Sequence, residues 1–217
     1  MKKQYKAIIP FSGGVDSTAV LYQTLTQNPE QEYFVFKVNI INAASASRTI
    51  QEEEAVRNIL EWLRNHGINN FTFRKLEYNY AELGAPQPHW DSEVVNFAAA
   101  SCILSHPEIE EFMEGAIADD FLQEGFHDRI SHIAKILYLV TKKNPQDLKI
   151  VFPLKDMYKY DVMKSMPIDL LALTWSCRYP KGGSNYNLIR CHQCPPCQTI
   201  DKVLLKHSTD FLKLLEW

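Results

Sequence analysis

Apolar residues fall into two patterns along the chain. In the first they form short runs rich in β-branched and aromatic side chains: Tyr5 to Phe11, Tyr33 to Ile40, Asn70 to Leu76, Phe112 to Ala118 and Lys149 to Leu154. Runs of this length and composition predict strands buried on both faces. In the second pattern they recur every three or four positions, which predicts helices over Val15 to Gln27, Arg48 to His66, Ser92 to Ser105 and Asp128 to Lys143. Ala19, Val20, Tyr22 and Leu25 form the stripe of the first helix, and Val56, Ile59, Leu60 and Leu63 that of the second. Asn28-Pro29, Gly67 and His106-Pro107 are stop signals. Tyr80 to Trp90, with Gly84, Pro86 and Pro88, reads as a loop. Shorter helices are expected at Lys159 to Met166, at Ile168 to Leu173, and from near Cys197 to about His207. Strands alternating with helices make an α/β fold, with a parallel sheet covered by helices on both faces. The expected division is an α/β domain over 1–174 and a small cysteine-bearing appendage over 175–217, with no second core of its own.

Composition adds exclusions. The chain has 217 residues, 46% hydrophobic and 23% charged, which is ordinary for a folded globular protein. Lys and Arg number 23 against 26 Asp and Glu, a formal charge of −3, so the basic excess of an extensive nucleic-acid footprint is missing. No apolar stretch approaches the roughly 20 residues needed to span a bilayer. The apolar run after the basic N-terminus is too short for a signal-peptide core. The expected location is cytoplasmic. Two clusters stand out. Four of the 8 glycines sit in the doublets Gly13-Gly14 and Gly182-Gly183, and four of the 5 cysteines follow residue 176.

Ser12-Gly13-Gly14-Val15-Asp16-Ser17-Thr18 lies between the first predicted strand and the first helix. Ligands bind at the carboxyl ends of strands in open α/β sheets. Glycine lets the backbone approach a phosphate, and a helix N-terminus offers amides and a favourable dipole. Ser12, Ser17 and Thr18 add hydroxyl donors. The segment is neither G-x-x-x-x-G-K nor G-x-G-x-x-G. The competing reading is a small-residue turn that caps a helix.

Cys191-His192-Gln193-Cys194-Pro195-Pro196-Cys197 is a C-x-x-C-x-x-C run, and Cys177 precedes it by 14 residues. Cys177, Cys191, Cys194 and Cys197 suit a closed tetrahedral Zn²⁺ site, which is structural because no ligand position is open. Three alternatives stand beside it: free thiols, three cysteines on an iron–sulfur cluster, or His192 replacing one cysteine. Cys102, among Ala98, Ala99 and Ala100, reads as a small core residue.

The Ser12–Ser17 segment resembles the SGGxDS loop of the PP-loop ATP pyrophosphatases. With Thr174-Trp175-Ser176-Cys177 and the cysteine run, the chain resembles the 7-cyano-7-deazaguanine synthase family in particular. Weaker matches follow in chain order: Arg48, Glu52 and Ala55; Gly115 with Asp119-Asp120; Phe126-His127-Asp128-Arg129; and Pro153 with Lys159. The resemblance implies a Rossmann-like fold of the adenine nucleotide alpha hydrolase type. It implies an ATP-dependent ligase that adenylates the carboxylate of 7-carboxy-7-deazaguanine and uses ammonia to form first the amide and then the nitrile. ATP would lie on Ser12, Gly13, Gly14, Val15, Asp16, Ser17 and Thr18, with Mg²⁺ near Asp16. Lys159 and Arg129 would meet phosphate or substrate charge beside Asp16 and Ser17. Arg48, Glu52, Asp119, Asp120, Asp128 and Trp90 would belong to the substrate region. Zn²⁺ would be held by the four cysteines.

The chain departs from that family at several points. Ser45-Ala46-Ser47 replaces a Y-G-Q segment, and Gln87 to Glu93 stands where a V-P-G-R-N segment is expected. The Cys177–Cys191 interval is long, and Gln198 to Lys202 supplies no Arg after the last Cys. His89, Trp90 and Asp91 become pocket residues on this reading, although a helix start stapled by Trp90 explains them as well. The expected partners are a deazapurine and ammonia, with a protein acceptor in a specialised paralogue of phage or anti-phage context. A homodimer is an option through apolar residues in Phe211 to Trp217. The alternatives are a tRNA-modifying PP-loop enzyme and an idle nucleotide-binding module.

Overall fold

The computed structural model describes residues 3–41, 46–79, 91–182 and 188–214. Among them β1 (Ala7–Pro10), β2 (Tyr33–Ile41), β3 (Phe71–Asn79), β4 (Glu111–Met113) and β5 (Lys149–Val151) form one parallel sheet in the order β3-β2-β1-β4-β5. Ile8 pairs with Phe34 on one side and with Phe112 on the other. Strand alternation then sorts the side chains. Ala7, Ile9, Tyr33 and Val35 enter a core with α1 (Val15–Gln27), α2 (Ala46–Asn65), α6 (Lys159–Lys164), α7 (Ile168–Leu171) and α8 (Pro195–Lys206). Ile8, Phe34, Phe36 and Phe112 enter the opposite core, with α3 (Asp91–Ser105) and α5 (Phe126–Thr141). The central strands are therefore apolar at successive positions because each successive side chain meets a different helical layer.

β1 is the pivot of the sheet. The chain leaves it for α1 on one face, whereas the unit preceding β4 is α3 on the other. The strand order reverses between β1 and β4, and a crevice opens there beyond the carboxyl ends. Ile200, Leu204, Phe211 and Leu214 from the C-terminal segment join the core of α1 and α6.

Several expectations change. The strand expected from Phe112 to Ala118 ends at Met113. Gly115 instead turns against the first turn of α1, and a short helix, α4 (Ala118–Phe121), follows. The Ile117 N–H donates to Asp120 Oδ2 at 2.9 Å, which starts that helix. β5 stops at Val151 because the next residues turn, with Lys155 N–H donating to Phe152 O at 3.3 Å and Met157 N–H to Leu154 O at 2.9 Å. A 3-10 helix at Ser208–Leu214 was not predicted. It folds Phe211 and Leu214 into the core at 2% and 0% exposure, so these two do not offer an apolar interface, while Leu212 stays exposed. Tyr80 to Trp90, including the site residue Trp90, lie outside the described residues, as do Gly183 and Trp217. Among the described residues no helix is long and apolar enough to cross a membrane.

Candidate functional site

The loop after β1 is held by its own small side chains. Gly13 has φ +80°, and a Cβ there would sit 3.0 Å from Val56 Cγ2 on α2, so both backbone and space require glycine. Gly14 precedes α1 and brings no capping side chain to its first turn. The Ser12 and Ser17 hydroxyls lie 3.0 Å apart, and Gly14 N–H donates to Ser12 Oγ at 3.3 Å. Thr18 is buried below the loop and donates to Gly14 O at 2.7 Å. Gly115 closes the other side. A Cβ on it would lie 3.4 Å from Ser17 N, in ordinary contact with the amide edge where an anion would rest.

A cavity of about 340 Å³ opens from this loop. Ser12, Gly14, Val15, Asp16 and Ser17 line it, together with Arg48, Glu52, Asp120 and Arg129 from the sequence expectations. Lys159, at the start of α6 and 8% exposed, donates to Asp16 Oδ1 and Oδ2 at 2.5 and 2.7 Å. A charge is thus fixed beside the loop. Asp119 and Asp128 do not line the cavity, and Asp128 is exposed. Burial raises the Asp120 carboxyl, and the nearby Asp16 charge adds to the rise. Asp16 and Asp120 form the acidic corner at which a divalent cation on a polyphosphate would find oxygen ligands.

Arg48 is fastened on two sides. Its Nε donates to Glu52 Oε1 at 2.7 Å, and its Nη2 lies 3.0 Å from Asp91 Oδ2 at the start of α3. Burial alone would weaken the guanidinium's hold on its proton, but Glu52 and Asp91 hold it above its ordinary value. Glu52 also accepts from Lys37 at 3.0 Å, and Lys37 is only 2% exposed. Sequence reasoning passed over Lys37, Asn39, Ser92, Asn96, Glu114, Ser176 and Arg178, all of which line the cavity. The missed signal was local: Lys37 and Asn39 interrupt an otherwise apolar strand, and such residues are rarely buried without a purpose.

The four cysteines meet as expected. Cys177, Cys191, Cys194 and Cys197 are buried, and their Sγ atoms all lie within 4.8 Å of one another. Cys191 Sγ accepts N–H bonds from Cys194 at 3.2 Å and Gln193 at 3.4 Å, and Cys177 Sγ accepts from Cys191 at 3.2 Å. Burial pushes the Cys191 thiol up, yet the Gln193 and Cys194 amides outweigh it and bring it down to about 6. Such N–H···S bonds are the support that a metal-bound thiolate uses. Zn–S bonds of about 2.3 Å in a tetrahedron require sulfurs roughly 3.8 Å apart, and Cys191 Sγ is 4.0 Å from Cys197 Sγ. The donor set therefore fits one tetrahedral ion. His192 is outside the cluster, with Nδ1 3.0 Å from Asp201 Oδ2. Cys102 is half-buried beside the α3–α5 core.

The cluster and the loop are joined. Trp175 N–H donates to Gly13 O at 2.8 Å, Val15 N–H donates to Ser176 Oγ at 3.1 Å, and Trp175 packs on the cysteines.

No protein-family model and no curated protein matches the chain. Solved structures do resemble it. One is the U34-tRNA thiolase NcsA from Methanococcus maripaludis with its 4Fe–4S cluster, at a TM-score of 0.55 and 15% identity, covering 99% of this chain and 70% of the thiolase. The two proteins share an α/β fold.

Proposed function

We propose that this protein is an ATP-dependent enzyme of the PP-loop ATP pyrophosphatase type, which adenylates the carboxylate of a 7-deazaguanine-type acid and passes the acyl group to ammonia. The observation that carries the reading is the Ser12–Ser17 loop: a Gly13 with positive φ and a first turn of α1 that receives no capping side chain from Gly14, beside the Lys159–Asp16 ion pair, at the mouth of one cavity.

The first step forms a bond from a carboxylate oxygen to the α-phosphorus of ATP and breaks the bond to pyrophosphate. The Ser12 and Ser17 hydroxyls and the first-turn amides hold the departing phosphates. Lys159 orients Asp16, and Arg129 faces the same cavity with a positive charge. Mg²⁺, when bound with ATP, would neutralise phosphate charge near Asp16 and Asp120. Ammonia then attacks the acyl carbon, AMP leaves, and the amide forms. A second ATP can activate the amide oxygen with release of pyrophosphate, and loss of AMP, which carries that oxygen away, and of both amide protons leaves the nitrile. Cys177, Cys191, Cys194 and Cys197 would hold Zn²⁺, which would supply structure only, since four thiolates leave no open position.

Mass spectrometry of 7-carboxy-7-deazaguanine, ATP and ammonium incubated with zinc-loaded protein tests the reading. Amide or nitrile, with matching AMP and pyrophosphate, is the expected result. Conjugation to a protein acceptor would appear as adduct mass, and sulfur incorporation into tRNA instead would overturn the ligase reading in favour of thiolation.

A further inference from the structure

The cavity has a second end that phosphate chemistry does not explain. Side-chain alternation places Phe36 of β2 and Phe112 of β4 on the α3–α5 face of the sheet, and Glu114, two residues after Phe112, continues that side beyond the strand end. Phe36, Phe112 and Phe126 line this end, with Asn96 from α3 and Glu114 among them. The loop Ser12–Ser17 opens α1, which packs on the opposite face of the sheet.

Two polar atoms at this end lack hydrogen-bond partners among the described residues. Asn96 is 1% exposed, and its Oδ1 has no hydrogen bond among the described residues. Glu114 Oε2 is shielded from solvent and also has none, while its Oε1 stands 3.8 Å from the Arg129 guanidinium. Leaving a buried polar atom unsatisfied is costly, so an orphaned carboxamide oxygen and an orphaned carboxylate oxygen in one cavity indicate a missing complement. Glu114 sits next to Gly115, which packs closely against the Asp16–Ser17 backbone. The orphaned oxygen therefore lies within one small molecule's reach of the anion loop.

The chemistry of the two groups specifies that complement. An ionised carboxylate only accepts, so Glu114 Oε2 requires an N–H or O–H donor. Asn96 offers both an acceptor and a donor. Phe36 and Phe112 are fully buried behind this end and, with Phe126, give it an apolar floor. Resting on the proposed function, we infer that Asn96 and Glu114 read the 2-aminopyrimidinone edge of a guanine-type heterocycle, with Glu114 accepting its N–H donors and Asn96 pairing with the adjacent polar position. The ring lies over the apolar floor beside Phe126, and its carboxylate points toward Ser12–Ser17. Specificity follows from the same groups: a ring without the 2-amino group keeps its N1–H but removes one of the donors that the buried carboxylate accepts.

Calorimetric binding with no chemical step separates this inference from the proposed reaction. The probes are free 7-deazaguanine and 7-deazahypoxanthine, which differ only by the 2-amino group. The wild-type protein is expected to bind 7-deazaguanine at least tenfold more tightly. Glu114→Gln and Asn96→Leu are expected to reduce that preference to less than about threefold. ATP affinity near the wild-type value in each variant shows that it is folded, and Asn96→Asp replaces Asn96→Leu if the latter fails this check. A wild-type protein that binds neither ring, or both alike, overturns the inference even if AMP is formed from another acid. A preference kept in Glu114→Gln overturns it as well. Ring binding with this preference, but no AMP release from 7-carboxy-7-deazaguanine, would leave the inference standing and sink the ligase reading.

Discussion

Gly13 and Gly115 border the same loop for different reasons, and they separate stability from binding. At Gly13 a side chain meets both positive φ and Val56. Gly13→Ala should cost about 1–3 kcal/mol of unfolding free energy, measurable by urea titration. At Gly115 a Cβ meets only ordinary contacts, 3.4 Å from Ser17 N. Gly115→Ala should change stability by no more than about 0.5 kcal/mol and weaken ATP binding about tenfold or more. An ATP affinity untouched by Gly115→Ala would mean that no phosphate sits against that turn. Glu114 makes a third prediction. Burial raises its carboxyl, opposed by Arg129 and reinforced by Asp120. A group raised in the folded state contributes stability at low pH and loses it as pH climbs through the folded value. Ligand-free Glu114→Gln should therefore melt above wild type at pH 8, with the gap closing toward pH 5. A gap independent of pH would contradict this.

Two elements that look separate in the chain act on one another. α8 carries Cys197, and the knuckle before it supplies Cys191 and Cys194. Trp175 and Ser176 connect that cluster to the amide and carbonyl groups of the Gly13–Val15 loop. Metal bound at the cysteines stabilises the folded cluster, because an ordered site of this kind does not exist in the unfolded chain. Removing the metal with a chelator is expected to lower ATP affinity several-fold before the α/β core melts. Paired metal analysis and ATP titration would check it, and unchanged ATP binding in metal-free, folded protein would show that the loop stands without the cluster. The same elements show the limit of reading segments alone. α1 and α2 begin and end close to their stop signals, but α4 was missed because its start depends on a turn at Gly115 set by contact with α1.

For the molecule as a whole, charge bears on the partner. The formal charge is −3 with neutral thiols, and four thiolates holding one divalent ion would make it more negative by two. Arg48, Lys37 and Arg129 of the cavity, and Lys159 beside it, are engaged with Glu52, Asp91, Glu114 and Asp16, while Arg178 at its rim is exposed. Affinity for tRNA at low salt is therefore expected to be weak, with a shallow dependence on salt. Filter binding across 50–200 mM salt would measure it, and a steep slope would favour the alternative of a tRNA-modifying enzyme.

Sequence by itself determined the alternation of strands and helices, the glycine loop at the end of β1 and the four-cysteine group. Each of these is encoded within a few adjacent residues: buried runs, stop signals, a positive-φ glycine and knuckle spacing. Only the tertiary structure decided which residues share the cavity. Lys37, Asn96 and Glu114 come from three separate elements and look like interruptions of apolar segments until the sheet order places them together. The same holds for the link from Trp175 to Gly13, which spans most of the chain. Local periodicity reports which face of an element is buried, whereas the identity of the neighbours across that face depends on how the whole sheet is wound.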